Sequence, residues 1–237
     1  MRNILLIIII YIMNTQSSMA NPSVLKYLIR QPKIQITNPP VIILLHGFGS
    51  NEQDLFSFAD QLPDKYLVIS ARAPYKLGEG SYAWYQIDFS TGKLVINTEQ
   101  EVKSRNTIIQ FITELKKDFS FDEKQVFLLG FSQGGMMAYS IGLTRPDLIH
   151  GIVIMSGLLL EEVKPFIAPK EKLAQLKVFI SHGTNDPTIG IHYTRESVTY
   201  LKTLNINPSY KEYTEGHGIN NAMFIDLVSW LNINLKK

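Results

Sequence analysis

Short, unbroken apolar segments are the feature of this sequence that most restricts how it can fold. Each is rich in Val, Ile, Leu or Phe, shows no alternation with polar residues, and is too short for a buried helix. A strand covered by helices on both faces has this pattern, because neither face of such a strand meets water. The segments are Val41–Leu45 and residues 66–70, 125–129, 152–155 and 178–180.

Helical patterns separate these segments. Apolar residues recur at intervals of three and four in residues 99–119 and 219–235, and the same spacing precedes Asn205. Further strands are predicted at residues 25–30 and 209–214. Strands that alternate with helices predict an α/β fold: a doubly wound, mainly parallel sheet with helices on both faces, which binds ligands at the carboxyl ends of its strands.

The composition fits one globular domain and excludes several classes of site. The chain has 237 residues, 45% of them hydrophobic, and no linker-like segment divides it. Its formal charge is only +2, from 23 basic and 21 acidic residues without a basic run, so nucleic acid is not an expected partner. With no cysteine, the chain cannot form a disulfide, a thiolate metal site or a cysteine nucleophile. The sequence does not indicate the oligomeric state.

The amino terminus has the outline of a signal peptide. Arg2 precedes a short apolar stretch and then a polar one, and small residues ending at Ala20 fit a cleavage site. Residues 1–20 would then be removed on export to the periplasm or the exterior, and residues 21–237 would form the single domain. The apolar stretch is too short for a stable membrane span. The alternative is that translation starts at Met19 and that the protein is cytoplasmic.

Residues 130–134 read Gly-Phe-Ser-Gln-Gly, a G-x-S-x-G motif that follows one apolar segment and opens a helical pattern. In this context the motif places a serine nucleophile on a sharp turn from strand to helix. The glycines have a steric cause, since a Cβ at either position would collide where the two backbones approach closely. Ser132 is therefore predicted to be a nucleophile held exposed at the edge of the sheet. The alternative is a helix N-cap.

An acid and a base follow in the order expected for a Ser-His-Asp triad. Asp186 lies in a turn-rich loop past the strand predicted at 178–180. His217 follows the strand predicted at 209–214, between glycines that leave the imidazole room to reach the serine. In this chemistry the histidine takes the serine proton and the aspartate holds the imidazole tautomer. The alternatives are an Asx-turn residue for Asp186 and a surface-loop residue for His217.

Backbone N–H groups must stabilise the oxyanion that forms in such a reaction. The glycine-rich segment 46–49, at the end of strand Val41–Leu45, predicts Phe48 as one donor, and Gln133, the residue after the nucleophile, is the other. The same segment lacks the third glycine of a dinucleotide-binding loop. The sequence also has no phosphate-binding loop and no H-E-x-x-H metal motif, so no cofactor or metal is expected.

Aromatic residues crowd the segment 74–98, which is irregular in pattern and long for a connection. Such a segment is expected to cover a pocket. We predict substrate contacts, for example with an acyl chain, from Tyr75, Trp84 and Tyr85. Ordinary packing of aromatic rings under a long loop is the alternative.

Four segments together resemble the signatures of the bacterial carboxylesterase, phospholipase and acyl-protein thioesterase family of α/β-hydrolases. They are residues 44–49 (Leu-Leu-His-Gly-Phe-Gly), 130–135, 182–187 (His-Gly-Thr-Asn-Asp-Pro) and 216–217 (Gly-His). The resemblance implies a cofactor-free serine hydrolase that cleaves small-molecule carboxylic esters or thioesters through an acyl-enzyme. Lysophospholipase or acyl-protein thioesterase activity, and a non-catalytic binding protein on the same fold, are the alternatives. Gly190 departs from the family, which usually has a proline shortly after its aspartate.

Overall fold

The computed structural model describes residues 23–88 and 94–235. The predicted signal peptide, residues 1–20, lies outside these described residues. The strands are β1 (Tyr27–Arg30), β2 (Val41–Leu45), β3 (Leu67–Ala71), β4 (Tyr75–Gly78), β5 (Ser81–Ala83), β6 (Ile87–Asp88), β7 (Val95–Ile96), β8 (Val126–Phe131), β9 (Gly151–Met155), β10 (Lys177–Gly183) and β11 (Ser209–Tyr213). The α-helices are α1 (Gln53–Phe56), α2 (Thr98–Asp118), α3 (Gln133–Thr144), α4 (Lys170–Leu173), α5 (Ile191–Thr203) and α6 (Asn221–Ile233). Short 3₁₀ helices cover Ala59–Gln61 and Glu161–Phe166.

Seven of the described strands form the central sheet, in the order β1-β3-β2-β8-β9-β10-β11. Neighbouring strands run parallel except β1 and β3, which pair antiparallel at one edge. The chain passes outward from β2 to β3, crosses back to β8 and continues outward to β11. Ligand sites of open α/β sheets lie at the carboxyl ends of the strands beside such a reversal. The mainly parallel sheet predicted from the apolar segments is confirmed.

Helices cover both faces of this sheet, as the two-sided burial of the strands predicted. Along β2, Ile43 faces one apolar cluster, which also holds buried residues of α2, α3 and α5. Ile42 and Leu44 face the opposite cluster, where α1 and α6 supply buried partners. Burying one such side chain contributes about 1.5–3 kcal/mol to folding. Within the described ranges, none of the helices is both long enough and apolar enough to cross a membrane.

Strand β10 is longer than the sequence predicted. Its apolar part is residues 178–180, but the pairing with β11 continues to Gly183, which lies opposite Tyr213. Ser181 fits the end of the predicted strand, but His182 and Gly183 were predicted to begin the loop, because neither is apolar enough to extend the pattern. His182 is consequently a fully buried residue of the sheet and not part of the loop that follows.

The segment 74–98, predicted to be irregular, contains short antiparallel strand pairs. β4 pairs with β5, and β6 pairs with β7. These strands are two to four residues long, which is too short for an alternating pattern to stand out in the sequence. A bridge between Ser50 and Tyr82 joins the first pair to the loop after β2. The segment therefore lies at the carboxyl end of that strand.

Candidate active site

Ser132 lies on the sharp turn between β8 and α3. Its backbone angles, φ 52° and ψ −117°, fall in a region that residues with a side chain rarely adopt. The flanking glycines permit the turn. A Cβ on Gly130 would lie 2.1 Å from the carbonyl oxygen of Gly134, and one on Gly134 would lie 1.8 Å from that of Leu45. The steric explanation of the two glycines is thus confirmed.

The hydroxyl of Ser132 faces a histidine and does not cap the helix. Ser132 occupies the N-cap position of α3, but its side chain makes no capping bond. Its Oγ lies 3.0 Å from Nε2 of His217, and its backbone N–H donates to the carbonyl of Met155 at 2.8 Å. The residue is only 9% exposed, so the prediction of an exposed serine was wrong. His217 lies over the hydroxyl and Gly157 packs against the backbone, and neither neighbour follows from the local turn.

Both oxygens of Asp186 are engaged. Oδ2 accepts from Nδ1–H of His217 at 2.7 Å. Oδ1 accepts from the backbone N–H groups of Thr188 and Ile189 at 2.8 and 2.9 Å, so the Asx-turn alternative and the contact with His217 occur in the same residue. These turn bonds fix the plane of a carboxylate whose side chain is fully buried. In the described part of the chain, no three or more His, Cys, Asp or Glu side chains form a cluster suited to a metal ion.

His217 follows β11 and bridges the other two residues. Since Nδ1 donates to Asp186, Nε2 is the acceptor for the Ser132 hydroxyl proton. The glycines on either side of His217 are not needed for space, because a Cβ on Gly216 or Gly218 would meet nothing within 4 Å. That prediction was wrong. The close approach is instead at Gly183, where a Cβ would lie 2.3 Å from the carbonyl oxygen of Gly216, so the backbone of the His217 loop rests on β10.

The predicted oxyanion donors lie on two separate segments, the first turn of α3 and the loop after β2. Gln133 is the first residue of α3, and N–H groups in a first helical turn have no acceptor within the helix. Phe48 belongs to the loop after β2, and its side chain is exposed. In this loop, a Cβ on Gly47 would lie 3.5 Å from Cβ of Ser132, so the loop passes directly beside the nucleophile.

His46 holds this loop in place, a role that the sequence analysis did not assign. The ring is fully buried, and its Nε2 accepts from the backbone N–H of Ala73 at 3.1 Å. Nδ1 therefore carries the proton and donates to the carbonyl of Gly47 at 2.7 Å. Burial lowers the pKa of His46, which favours the neutral ring that these two bonds require.

Residues 31–235 match the model of the phospholipase/carboxylesterase family. The chain belongs to this family. Its relatives include the putative hydrolase MhqD of Bacillus subtilis (strain 168), 28% identical over 191 residues, which cover 76% of this chain and 86% of that protein. Carboxylesterase SOBER1 of Arabidopsis thaliana is 26% identical over 216 residues, covering 82% and 90%. Acyl-protein thioesterase 1 of Mycosarcoma maydis is 24% identical over 204 residues, covering 76% and 82%.

Solved structures show the same fold. A carboxylesterase from Bacillus cereus superposes with a TM-score of 0.77 at 24% identity and covers 90% of this chain and 96% of its own. Acyl-protein thioesterase 2 of Zea mays gives 0.75 at 21% identity, covering 89% and 99%. The predicted α/β-hydrolase fold is confirmed, and this member of the phospholipase/carboxylesterase family is a hydrolase of the carboxylic ester class.

Two aromatic residues of this phospholipase/carboxylesterase family member are buried where substrate contacts were predicted. Trp84 and Tyr85 have no exposed surface. The backbone N–H of Trp84 donates to Oε1 of Gln133 at 2.9 Å, and Nε2 of Gln133 donates to the carbonyl of Tyr85 at 2.7 Å. The indole N–H of Trp84 donates to the carbonyl of His46 at 2.9 Å. The packing alternative therefore describes both residues, which support the loops of the site. Tyr75 is half-buried in the β4–β5 pair.

A cavity of about 890 Å³ lies between the segment after β9, helix α5 and the segment 74–98. Its apolar wall includes Leu158, Leu159 and Leu160, with Leu94 and Ile96 contributed by the segment 74–98. Ser132, Asp186 and His217 are not part of the lining, which also includes charged residues such as Glu162, Arg195 and Glu196. Gly157, the residue before the apolar wall, packs against the backbone of Ser132.

Proposed function

We propose that this protein is a serine hydrolase that cleaves carboxylic esters or thioesters through an acyl-enzyme on Ser132. The observation that carries the proposal is one continuous chain of hydrogen bonds. Oγ of Ser132 lies 3.0 Å from Nε2 of His217, and Nδ1 of His217 lies 2.7 Å from Oδ2 of Asp186. Such a chain supplies a nucleophile, a base that takes its proton and an acid that orients the base.

In the first half-reaction the Ser132 oxygen attacks the substrate carbonyl carbon while its proton moves to Nε2 of His217. Negative charge collects on the former carbonyl oxygen, and the backbone N–H groups of Phe48 and Gln133 are the proposed donors to it. Asp186 stabilises the imidazolium. The C–O or C–S bond then breaks, the leaving alcohol or thiol takes the proton from His217, and the acyl group stays on Ser132.

Water completes the second half-reaction. His217 accepts a proton from the water molecule as the water oxygen attacks the acyl carbon. The tetrahedral intermediate collapses, the bond to Ser132 breaks, and the serine oxygen recovers its proton from His217. A carboxylic acid leaves and the enzyme returns to its starting state.

Oxygen esters and thioesters both present the carbonyl carbon that this mechanism needs, and relatives of the chain bear both kinds of name. The acyl group is proposed to lie in the cavity whose wall begins at Leu158. An apolar wall suits a hydrocarbon chain, and this wall follows Gly157, which packs against the backbone of Ser132. The ester bond of a lysophospholipid fits the same reaction.

The test combines covalent labelling with turnover. The intact mass of the protein is measured after reaction with a fluorophosphonate, and hydrolysis of p-nitrophenyl esters from acetate to palmitate is followed on the same sample, with an acyl thioester in parallel. Ser132→Ala is compared with Ser209→Ala, which changes an exposed serine of β11. We expect one label per chain and turnover in the wild type and in Ser209→Ala, and neither in Ser132→Ala.

The two substrate series then separate the remaining alternatives. A chain-length optimum measures how much hydrocarbon the cavity holds, and the ratio of ester to thioester turnover identifies the leaving group. A folded wild-type protein that takes no label and turns over no substrate would favour a non-catalytic binding protein on the same fold.

A further inference from the structure

A second histidine lies behind the acid of the triad. His182 of β10 is fully buried, and its Nε2 lies 3.1 Å from Oδ2 of Asp186, the oxygen that also accepts from His217. The same nitrogen lies 2.8 Å from the carbonyl oxygen of Ile189. A carbonyl and an ionised carboxylate are acceptors only, so Nε2 must carry a proton. This N–H donates to the carbonyl of Ile189, and Oδ2 of Asp186 is its longer, second contact.

The other ring nitrogen explains why that tautomer is held. Nδ1 of His182 lies 2.6 Å from Oγ1 of Thr194 in α5, and both residues are fully buried. Burial lowers the pKa of His182, which favours the neutral ring. Nδ1 is then an acceptor that shares the single hydroxyl proton of Thr194 with the carbonyl oxygen of Gly157. A hydroxyl that donates to one ring nitrogen leaves the proton on the other, which is the atom facing Asp186.

A series of contacts connects Asp186 to the backbone of Ser132. Oγ1 of Thr194 also lies 3.0 Å from the carbonyl oxygen of Gly157. A Cβ on Gly157 would lie 3.1 Å from the carbonyl oxygen of Ser132, so the path from the acid through His182 and Thr194 returns to the nucleophile. The other charged group facing His182 is Glu212, its partner on β11, whose carboxylate is already engaged by Arg195 at 2.9 and 2.7 Å.

We propose that His182 is a positioning residue for this triad: its Nε2–H fixes the Asp186 oxygen that orients His217, and Thr194 holds His182 in the tautomer that can do so. The proposal rests on the proposed function. Turn bonds from the backbone hold only Oδ1 of Asp186. His182 adds a second N–H group 3.1 Å from Oδ2. Without it, a carboxylate free to turn about its Oδ1 bonds would hold the imidazole less firmly.

Three substitutions separate the donor from the volume of the ring. In His182→Gln the amide nitrogen reaches about as far from the backbone as Nε2 does, in His182→Asn it reaches only as far as Nδ1, and His182→Leu has no donor. A hydrogen bond to a charged group is worth about 1.5–3 kcal/mol, which corresponds to roughly 10- to 100-fold in rate. We expect kcat for a p-nitrophenyl ester to fall by that factor in His182→Leu and His182→Asn, with KM changed by less than about threefold. His182→Gln should retain kcat within about fivefold of the wild type.

Thr194→Val provides a second measurement if the variants at 182 do not fold. It keeps the shape of the side chain and removes the hydroxyl, and Thr113→Val, at an exposed position of α2, is the matched control. We expect kcat to fall several-fold in Thr194→Val at unchanged KM, and no change in Thr113→Val. Wild-type kcat in His182→Leu, or a His182→Gln no faster than His182→Asn, would overturn the proposal. Loss of turnover in Ser132→Ala alongside either of those results would show that only this inference had failed.

Discussion

Gly134 at the start of α3 packs backbone to backbone against Leu45 at the end of β2: a Cβ on the glycine would lie 1.8 Å from the leucine carbonyl oxygen. Leu45 precedes the loop that carries Phe48, and Gly134 follows shortly after the nucleophile. This contact therefore helps to set how far the proposed oxyanion donors lie from Ser132. A residue with a side chain could not bring the two backbones as close.

The first prediction concerns this contact. Gly134→Ala should destabilise the protein by about 3 kcal/mol or more, because the added methyl group overlaps backbone atoms that cannot move aside. Gly216→Ala is the matched control, since a Cβ there meets nothing within 4 Å and replacing a glycine at a compatible site leaves stability unchanged or slightly higher. Urea unfolding of both variants measures the difference. Equal stabilities would contradict the close approach.

A second prediction concerns the side chain of Gln133, which joins the nucleophile turn to the segment of Trp84 and Tyr85. Gln133→Ala leaves a buried N–H and a buried carbonyl without partners, and each costs about 1–3 kcal/mol. We expect the free energy of unfolding to fall by about 2–5 kcal/mol. Gln110→Ala, on the exposed face of α2, should change it by less than about 0.5 kcal/mol. Similar losses of stability in the two variants would contradict a stabilising role for the hydrogen bonds of Gln133 with Trp84 and Tyr85.

The third prediction is a pH dependence of stability. Burial lowers the pKa of His46 in the folded protein, so the unfolded chain binds a proton at higher pH than the folded chain does. The stabilisation is complete above the unfolded pKa of about 6.5 and is lost as the pH falls from there toward the folded pKa. His182 acts in the same direction, whereas Glu101, whose pKa is raised by burial, acts in the opposite one.

A non-titrating substitution isolates the contribution of His46. His46→Gln keeps an acceptor for the backbone N–H of Ala73. The free energy of unfolding is measured by urea at several pH values from about 7.5 down to about 5, where ordinary carboxyl groups are still ionised. We expect it to fall less steeply in the variant than in the wild type. Identical slopes would mean that His46 does not titrate differently on folding.

The fourth prediction concerns the acid. In Asp186→Asn the amide can still accept the two turn bonds through its oxygen, but its NH₂ group then faces His217 and favours the wrong imidazole tautomer. The expected loss in kcat is about 10⁴-fold, as for the same change in a serine protease, with little effect on KM. Asp118→Asn, at an exposed position of α2, should keep wild-type turnover. Steady-state kinetics on one p-nitrophenyl ester checks both variants.

The sequence predicted those features that local patterns encode. Two-sided burial of β2 requires an unbroken apolar run, and the predicted bounds of that strand are the observed ones. The first glycine of the G-x-S-x-G motif reflects a steric conflict between residues close in the chain, Gly130 and Gly134, so it could be explained from the sequence alone; the conflict of Gly134 is with distant Leu45. Ser132, Asp186 and His217 each stand directly after a predicted strand, which is why their shared edge of the sheet could be inferred.

Features that depend on contacts between distant segments were missed. Trp84 looks like a pocket residue in the sequence, and only the partners Gln133 and His46, far from it in the chain, make it a buried support. His182 stands in a motif rich in turn residues, and its place in the sheet depends on pairing with β11. The burial of Ser132 likewise comes from His217, which lies 85 residues away in sequence.

The order of the strands determines at what stage of synthesis the active site can form. The strands on the side of the sheet that carries the proposed triad lie in chain order, from β8 through β9 and β10 to β11. The nucleophile comes from the first of these strands, and the base follows the last one, which forms the edge of the sheet. During synthesis Ser132 leaves the ribosome well before His217, which lies 85 residues later in the chain. The proposed triad can therefore form only after the chain has been made as far as His217, and activity depends on every strand from β8 to β11.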